Sequence, residues 1–277
     1  MRPSQVLRRA ADYLERHEIQ APRPTAEQLL ARILGVDRAG LYLRDTPLDP
    51  DESKAFGRAL SRRCAGTPTQ HVTGETGFRH LILTVRPGVF VPRTETEVVV
   101  GAVLDVMRDR PTPAVVDVGT GTGAIALAVK QERSDSRVWA VDRSSEAAAL
   151  ARHNARRTGL DIGVVQADLL DGLDASTTGA LDVVVSNPPY LEADDLASLP
   201  REVRADPTDA LVGGVAVYAA LFDQASPRLV PCGALVVEID ERRAKAVTAA
   251  ALGAGATGIS VVTDLAGRER AVVATWP

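Results

Sequence analysis

Four consecutive residues, Asn187-Pro188-Pro189-Tyr190, carry the most specific chemistry in this 277-residue sequence. Proline has no backbone N–H, so the chain around Pro188 and Pro189 presents carbonyl acceptors, and the Asn187 side-chain oxygen adds another. Two acceptors hold both hydrogens of an NH₂ group. Such a grip turns the lone pair of a planar amide or amine nitrogen, normally delocalised into a carbonyl or ring, towards an electrophilic carbon. Catalysis then rests on positioning and electrostatics, with no strong base required. Tyr190 adds an aromatic face for stacking the planar group. Asn187, Pro188 and Tyr190 are therefore the candidate catalytic residues.

A second motif supplies a place for the electrophile. Asp117-Val118-Gly119-Thr120-Gly121-Thr122-Gly123-Ala124 runs from an apolar strand-like stretch into the helical Ile125 to Lys130. Glycines there permit positive φ and close approach of a ligand, and the loop ends at a helix N-terminus, so a nucleotide-containing cofactor is expected across it. The string also satisfies G-x-G-x-x-A, which keeps a nicotinamide cofactor in view. The next strand ends at Asp142, where an acid accepts hydrogen bonds from both ribose hydroxyls of either cofactor. Asp117 ahead of the loop, the three close glycines and a terminal hairpin favour S-adenosylmethionine, with S-adenosylhomocysteine as product. Asp168 and Leu169, after the third strand, are expected to border the adenine.

These residues need a scaffold. From Ser4 to about Ala65 apolar residues recur at helical spacing, with breaks at Pro22, Pro24, Gly35 and Pro47, which predicts four or five short helices. Residues 1–66 are read as a small helical domain and 67–92 as a β-hairpin linker. Thr94-Glu95-Thr96-Glu97 fits a capping box for a helix running to about Arg108. From Ala114 onwards strands (114–118, 137–141, 162–166, 181–186, 234–239) alternate with helices, the pattern of a parallel sheet covered on both faces. Strand-like 259–263 and 270–275 are too close for a parallel crossover, so the last strand must run antiparallel. The fold class is α/β: a Rossmann-like, mostly parallel seven-stranded sheet with an antiparallel last strand over 93–277, plus a small N-terminal helical domain.

Composition narrows the function. A 45% hydrophobic and 25% charged chain is ordinary globular protein. No stretch approaches a bilayer-spanning length and the charged N-terminus is unlike a signal peptide, so no membrane role and a cytoplasmic location are expected. Cys64 and Cys232 lack the spacing of a zinc site, and His17, His71, His80 and His153 are scattered, so no metal is expected. The net charge of −4 argues against direct nucleic-acid binding. Residues 1–66 hold twelve Lys/Arg against nine Asp/Glu, a weak basic bias that is either a solvated helical face or a docking surface. A monomer is expected.

With these residues set out, the sequence strongly resembles the release factor glutamine methyltransferase family over nearly its whole length. The matching pieces are the helical N-terminus, Thr67 to Gly74 with Phe78, Val91-Pro92-Arg93-Thr94-Glu95-Thr96-Glu97, Asp117 to Ala128, Ala140-Val141-Asp142, and Ser186 to Tyr190. The resemblance implies a class I S-adenosylmethionine-dependent methyltransferase fold. It implies transfer to the side-chain N5 of the glutamine in the Gly-Gly-Gln motif of class I peptide chain release factors. It also implies that the N-terminal domain helps hold the release factor. By position, Gly119 to Gly123, Asp142 and Asn187 would bind the cofactor, with Leu169 over the adenine. Asn187, Pro188, Pro189 and Tyr190 would bind the glutamine, with Arg93 and Glu97 closing the site. The sequence departs from the family at Thr94, usually proline, at Asp240, usually glycine, and at Gly213-Gly214-Val215-Ala216-Val217, which lacks the usual Asp-Gly. The alternatives are methylation of a glutamine in another protein such as a ribosomal protein, methylation of adenine N6 in nucleic acid, for which no target-recognition region or basic surface is evident, and a catalytically silent cofactor-binding adaptor. A nicotinamide oxidoreductase would need a hydride-transfer site that the sequence does not reveal.

Overall fold

The computed structural model describes residues 1–199 and 203–277. The chain divides into two compact units, Met1–Glu75 with Val203–Ala205, and Thr76–Leu199 with Asp206–Pro277.

The first unit is helical: α1 (Pro3–Arg16), α2 (Pro22–Leu34), α3 (Arg38–Leu43), α4 (Pro50–Cys64) and α5 (Thr69–Thr73). Leu7 and Leu14 of α1, Leu29 and Leu30 of α2, Leu41 of α3 and Phe56 of α4 meet in one buried core, as helical spacing requires. Pro3, Pro22 and Pro50 each occupy a first turn, where the missing N–H leaves no orphan partner. Pro22 and Pro24, expected as breaks, therefore open α2 instead. Asp49 and Glu52 form a capping box, Asp49 Oδ1 accepting from Glu52 N at 2.7 Å and Glu52 Oε2 from Asp49 N at 2.9 Å. The stretch expected to begin a β-rich linker is helical in α5, because Pro68 leads into it and Gly74, at φ 76°, ends it. Five residues are too few for the β-branched Thr69, Val72 and Thr73 to outweigh those ends.

The hairpin proper is β1 (Glu75–Phe78) and β2 (Leu81–Thr84), followed by α6 (Thr96–Val106). The expected capping box at Thr94 does not form. The residue before α6 is Glu95, it makes no side-chain cap, and Glu97 Oε1 instead accepts from the Arg79 backbone N at 2.9 Å. Arg79 lies in the hairpin turn at φ 48° and its guanidinium pairs with Glu132. A backbone amide distant in sequence thus outcompetes the local one.

The remaining elements are β3 (Ala114–Val118), α7 (Ala124–Glu132), β4 (Arg137–Asp142), α8 (Ser145–Thr158), β5 (Gly163–Gln166), α9 (Ala175–Thr178), β6 (Leu181–Ser186), α10 (Gly214–Ala225), β7 (Leu229–Glu238), α11 (Ala244–Gly253), β8 (Gly258–Thr263) and β9 (Glu269–Thr275). Among the described residues seven strands form one sheet in the order β5-β4-β3-β6-β7-β9-β8. Neighbours from β5 to β7 are parallel, and β9 runs antiparallel to both β7 and β8. Alternation along each strand feeds two cores: Val115, Val183, Val185 and Val236 pack under α6 and α7, while Val116, Val184, Leu235 and Val237 pack under α10 and α11. The strand expected at Ala234 begins earlier, at Leu229. Its first half carries Pro231, which has no N–H, and Cys232 at φ 59°, so the ladder with β6 is irregular until Val183 meets Ala234. Cys64 is half-buried, Cys232 is exposed, and both are free. No described helix is long and apolar enough to cross a membrane.

Asn154 of α8 holds the second unit's Gly-rich loop to its hairpin. It is fully buried and bonds Thr84 N at 2.9 Å, Thr84 O at 3.0 Å and Thr122 O at 2.9 Å. Asn154→Ala strands a buried carbonyl on Thr122 and two half-buried backbone groups of Thr84 and is expected to destabilise the fold by about 2–4 kcal/mol in urea unfolding followed by circular dichroism; a loss under about 1 kcal/mol would contradict this role.

Candidate active site

The two motifs are neighbours because β3 and β6 are neighbours. Val118 pairs with Ser186 at the carboxyl ends of these parallel strands, and the Ser186 hydroxyl donates to Val118 O at 2.7 Å. The strand order reverses between β3 and β6, and ligands of open α/β sheets settle at such a switch point.

In the Gly-rich loop, Gly119 N and Thr120 N both donate to Val141 O, at 2.8 and 3.0 Å. Gly119, Gly121 and Gly123 have φ of 71°, 57° and 84°, a region that costs other residues strain. Their surroundings differ. A Cβ on Gly119 would enter open space and one on Gly121 would meet only Val89 at 3.9 Å, whereas one on Gly123 would press on Leu127 and Ala151 at 3.2 and 3.3 Å. The first two leave a trough, and the third lets α7 pack on α8. Asp117 is buried beneath the trough. Its Oδ2 accepts from the Thr120 hydroxyl at 2.6 Å and from Ala126 N at 3.1 Å, while Oδ1 and the Thr122 hydroxyl are buried with no partner among the described residues. Orphaned polar atoms beside an open, glycine-lined trough suit a polar ligand that satisfies them.

Asp142 accepts from Gly121 N and Ser144 N, both at 2.9 Å, so it ties the loop to the start of α8 while each oxygen keeps a lone pair for a ligand. Asp168 is exposed, and Leu169 sits at φ 48°, rare for a branched residue. Leu170 N, bonded to Gln224 Oε1 at 2.9 Å, anchors that turn.

The turn after β6 is clamped from behind. Leu191 N donates to Leu211 O at 2.9 Å and Gly213 N to Leu191 O at 3.1 Å. A Cβ on Gly213 would lie 2.4 Å from Pro189 O, so glycine there is required by close approach. Pro188 is buried, and Asn187, Pro189 and Tyr190 are half-buried. Asn187 Nδ2 donates to Thr96 Oγ1 at 3.3 Å. Burial, reinforced by Glu238 and Asp240, pushes the Tyr190 phenol up to about 12, which makes it a neutral stacking surface with no role as a base.

Arg93 pairs with the buried Asp206 and lies over the Phe90 ring. Asp206 Oδ1 also accepts from Val91 N at 3.3 Å; burial raises the Asp206 carboxyl and Arg93 opposes the rise. Glu97, grouped with Arg93 from the sequence, instead serves Arg79. Two residues went unread as site residues. Thr96, buried at the start of α6, touches Asn187. Glu238, buried at the end of β7, has Oε2 without a partner among the described residues; an acid ending an apolar strand was the available signal. Asp240 has a local explanation: its side chain accepts from Arg242 N at 2.9 Å and caps the turn Glu241–Arg243. No cluster able to hold a metal occurs among the described residues.

Known proteins resemble this chain along most of its length. A family model described as PrmC N-terminal domain matches residues 5–74, and one described as methyltransferase small domain matches residues 80–203. The release factor glutamine methyltransferase of Deinococcus radiodurans is 40% identical over 96% of each chain. That of Moorella thermoacetica is 37% identical over 98% of this chain and 97% of its own. Among solved structures, a methyltransferase from Pyrococcus furiosus covers 80% of this chain and 98% of its own with TM-score 0.51 at 16% identity. The catalytic domain of hMettl16 covers 83% and 84% with TM-score 0.56 at 12% identity. These two likenesses are of fold alone.

Two outcomes are expected from the site's packing. Gly213→Ala forces the Pro189 carbonyl to move and should cost about 1–3 kcal/mol of stability by urea unfolding; an unchanged midpoint would show that the clamp tolerates a methyl. Burial pushes Asp117 and Glu238 each up to about 7. Between the ordinary carboxylate range and that value the folded chain holds protons that the unfolded chain has released, so the stability is present at acid pH and falls as pH rises towards 7. The urea midpoint should therefore fall from pH 5 to 8, and fall less in Glu238→Gln; equal slopes would count against the burial of Glu238.

Proposed function

The chain belongs to the release factor glutamine methyltransferase family, and we propose that it methylates the side-chain N5 of the glutamine in the Gly-Gly-Gln motif of class I peptide chain release factors, with S-adenosylmethionine as donor. One observation carries the reading: the Asn-Pro-Pro-Tyr turn and the glycine loop leave adjacent parallel strands side by side. When bound, S-adenosylmethionine supplies an electrophilic methyl on a sulfonium and leaves as S-adenosylhomocysteine. Gly119, Thr120 and Gly121 would hold it in the trough, with Asp117, Thr122 and Gly123 beneath and behind, Asp142 on the ribose, Asp168 and Leu169 at the adenine, and Asn187 beside the methyl.

Asn187 Oδ1 and a carbonyl of the Pro188–Pro189 turn accept the two hydrogens of the glutamine amide, which holds the nitrogen in line with the methyl. Tyr190, kept protonated, offers its face to the amide plane. Arg93, fixed by Asp206, closes the site over the substrate. The helical first unit serves release-factor docking, and its exposed Tyr42 and Leu43 are suited to an apolar contact. In this reading the protein works in the cytoplasm as a monomer without direct nucleic-acid contact.

Incubating the chain with labelled S-adenosylmethionine and, separately, a release factor, a ribosomal protein and duplex DNA tests the proposal; label is expected on the Gly-Gly-Gln glutamine. Label on adenine or on the ribosomal protein instead, or no label at all, would sink it. Asn187→Ala should lower kcat by about 10²–10³-fold with cofactor affinity within about tenfold, since it removes an acceptor from the reacting group. Lost cofactor binding with unchanged turnover would contradict that role.

A further inference from the structure

Asn187 serves such a reaction only with its amide turned one way. A carboxamide presents an acceptor on one side and a two-hydrogen donor on the other, nearly identical in shape, so surrounding hydrogen bonds decide which side faces the substrate. Turned the wrong way, Asn187 meets the substrate NH₂ donor to donor. Its Nδ2 donates to Thr96 Oγ1 at 3.3 Å, which leaves Oδ1 for the substrate. A hydroxyl accepts as readily as it donates, however, so Thr96 alone stabilises either orientation. The neighbouring strand removes that ambiguity. Glu238 follows Val237, the register partner of Ser186, so it lies level with Asn187. Glu238 is 4% exposed, its Oε2 has no partner among the described residues, and the Thr96 hydroxyl lies close enough to hold its carboxyl down against burial.

We propose that Thr96 and Glu238 are positioning residues that lock the polarity of Asn187: the Glu238 carboxylate accepts a hydrogen bond from the Thr96 hydroxyl, Thr96 then offers Asn187 only a lone pair, and Asn187 must turn Oδ1 to the substrate amide. The inference rests on the glutamine reading above, and both residues act through Asn187.

The lock has a sign in pH. Ionised Glu238 can only accept. Protonated, it can donate to Thr96, which frees the Thr96 proton for Asn187 Oδ1 and lets the amide turn over. Burial raises the Glu238 carboxyl to about 7, opposed by the Thr96 hydroxyl, reinforced by Glu95 ahead of α6 and opposed by Arg270 of β9. Tyr190 and Tyr218, which also face it, are both raised and stay protonated. The turned-over amide therefore accumulates as pH falls below about 7.

The full chain and its Thr96→Val, Thr96→Ser and Glu238→Gln variants are assayed on a release factor from pH 6 to 8, with cofactor affinity measured by calorimetry. Thr96→Val should lower kcat about 10- to 100-fold with cofactor Kd within about threefold, and Thr96→Ser should restore kcat to within about threefold of the unmodified chain. The acid limb of kcat should be present in the unmodified chain and absent in Glu238→Gln. Independently of any substrate, the Asn187 side-chain ¹⁵N resonance of the unmodified protein should titrate with the Glu238 carboxyl carbon and be pH-invariant in Glu238→Gln. Equal losses in the two Thr96 variants, a fully active Thr96→Val, an acid limb that persists in Glu238→Gln, or an Asn187 resonance indifferent to pH overturns the lock. A titrating Asn187 in a protein that leaves the release-factor glutamine unlabelled overturns the glutamine reading and supports the lock.

Discussion

The pairing of β3 with β6 is the constraint on which the rest depends. Both strands are apolar along nearly their whole length, and their central valines feed the cores on the two faces of the sheet, so a slip of register by one residue would turn each strand inside out. The Ser186 hydroxyl on Val118 O ties the last pair together at a depth where an unpaired carbonyl is costly. Because that register is fixed, the glycine loop and the Asn-Pro-Pro-Tyr turn leave the sheet side by side. Reactive geometry follows from core packing before any ligand arrives.

Around that junction the protein carries features that a purely stability-driven design would remove. Asp117 and Glu238 are buried carboxyls, each with an oxygen that has no partner among the described residues, and burial raises both. Such groups disfavour the folded state near neutrality and are tolerated where a charge or a polar ligand will later meet them. Leu169 at positive φ belongs to the same set. The support around them is dense: Asn154 fastens the loop from below, Gly213 backs Pro189, and Asp206 holds Arg93.

The departures from the family's sequence take on physical meaning here. Asp240 finds its partner in Arg242 and caps a turn. The paired glycines at Gly213 and Gly214 are each crowded, by Pro189 O and by the Glu192 carboxylate, whatever follows them in sequence. Thr94 is exposed and takes no part in capping α6.

The sequence by itself determined the strands Ala114–Val118 and Leu181–Ser186 to the residue, the antiparallel finish at β9, and the two loops that meet at the switch point. Those features rest on short-range physics: runs of β-branched apolar residues, glycines that permit positive φ, and connections too short for a crossover. Tertiary structure alone decided which polar groups meet. Glu97 chose Arg79, 18 residues away, over the cap three residues back. Arg93 found Asp206 across 113 positions, and Thr96 met Asn187 across 91. Partner choice of this kind is a competition among all groups that folding brings within reach, and the cost of burying a charge depends on how completely water is removed around it, so neither is written in any local stretch of residues.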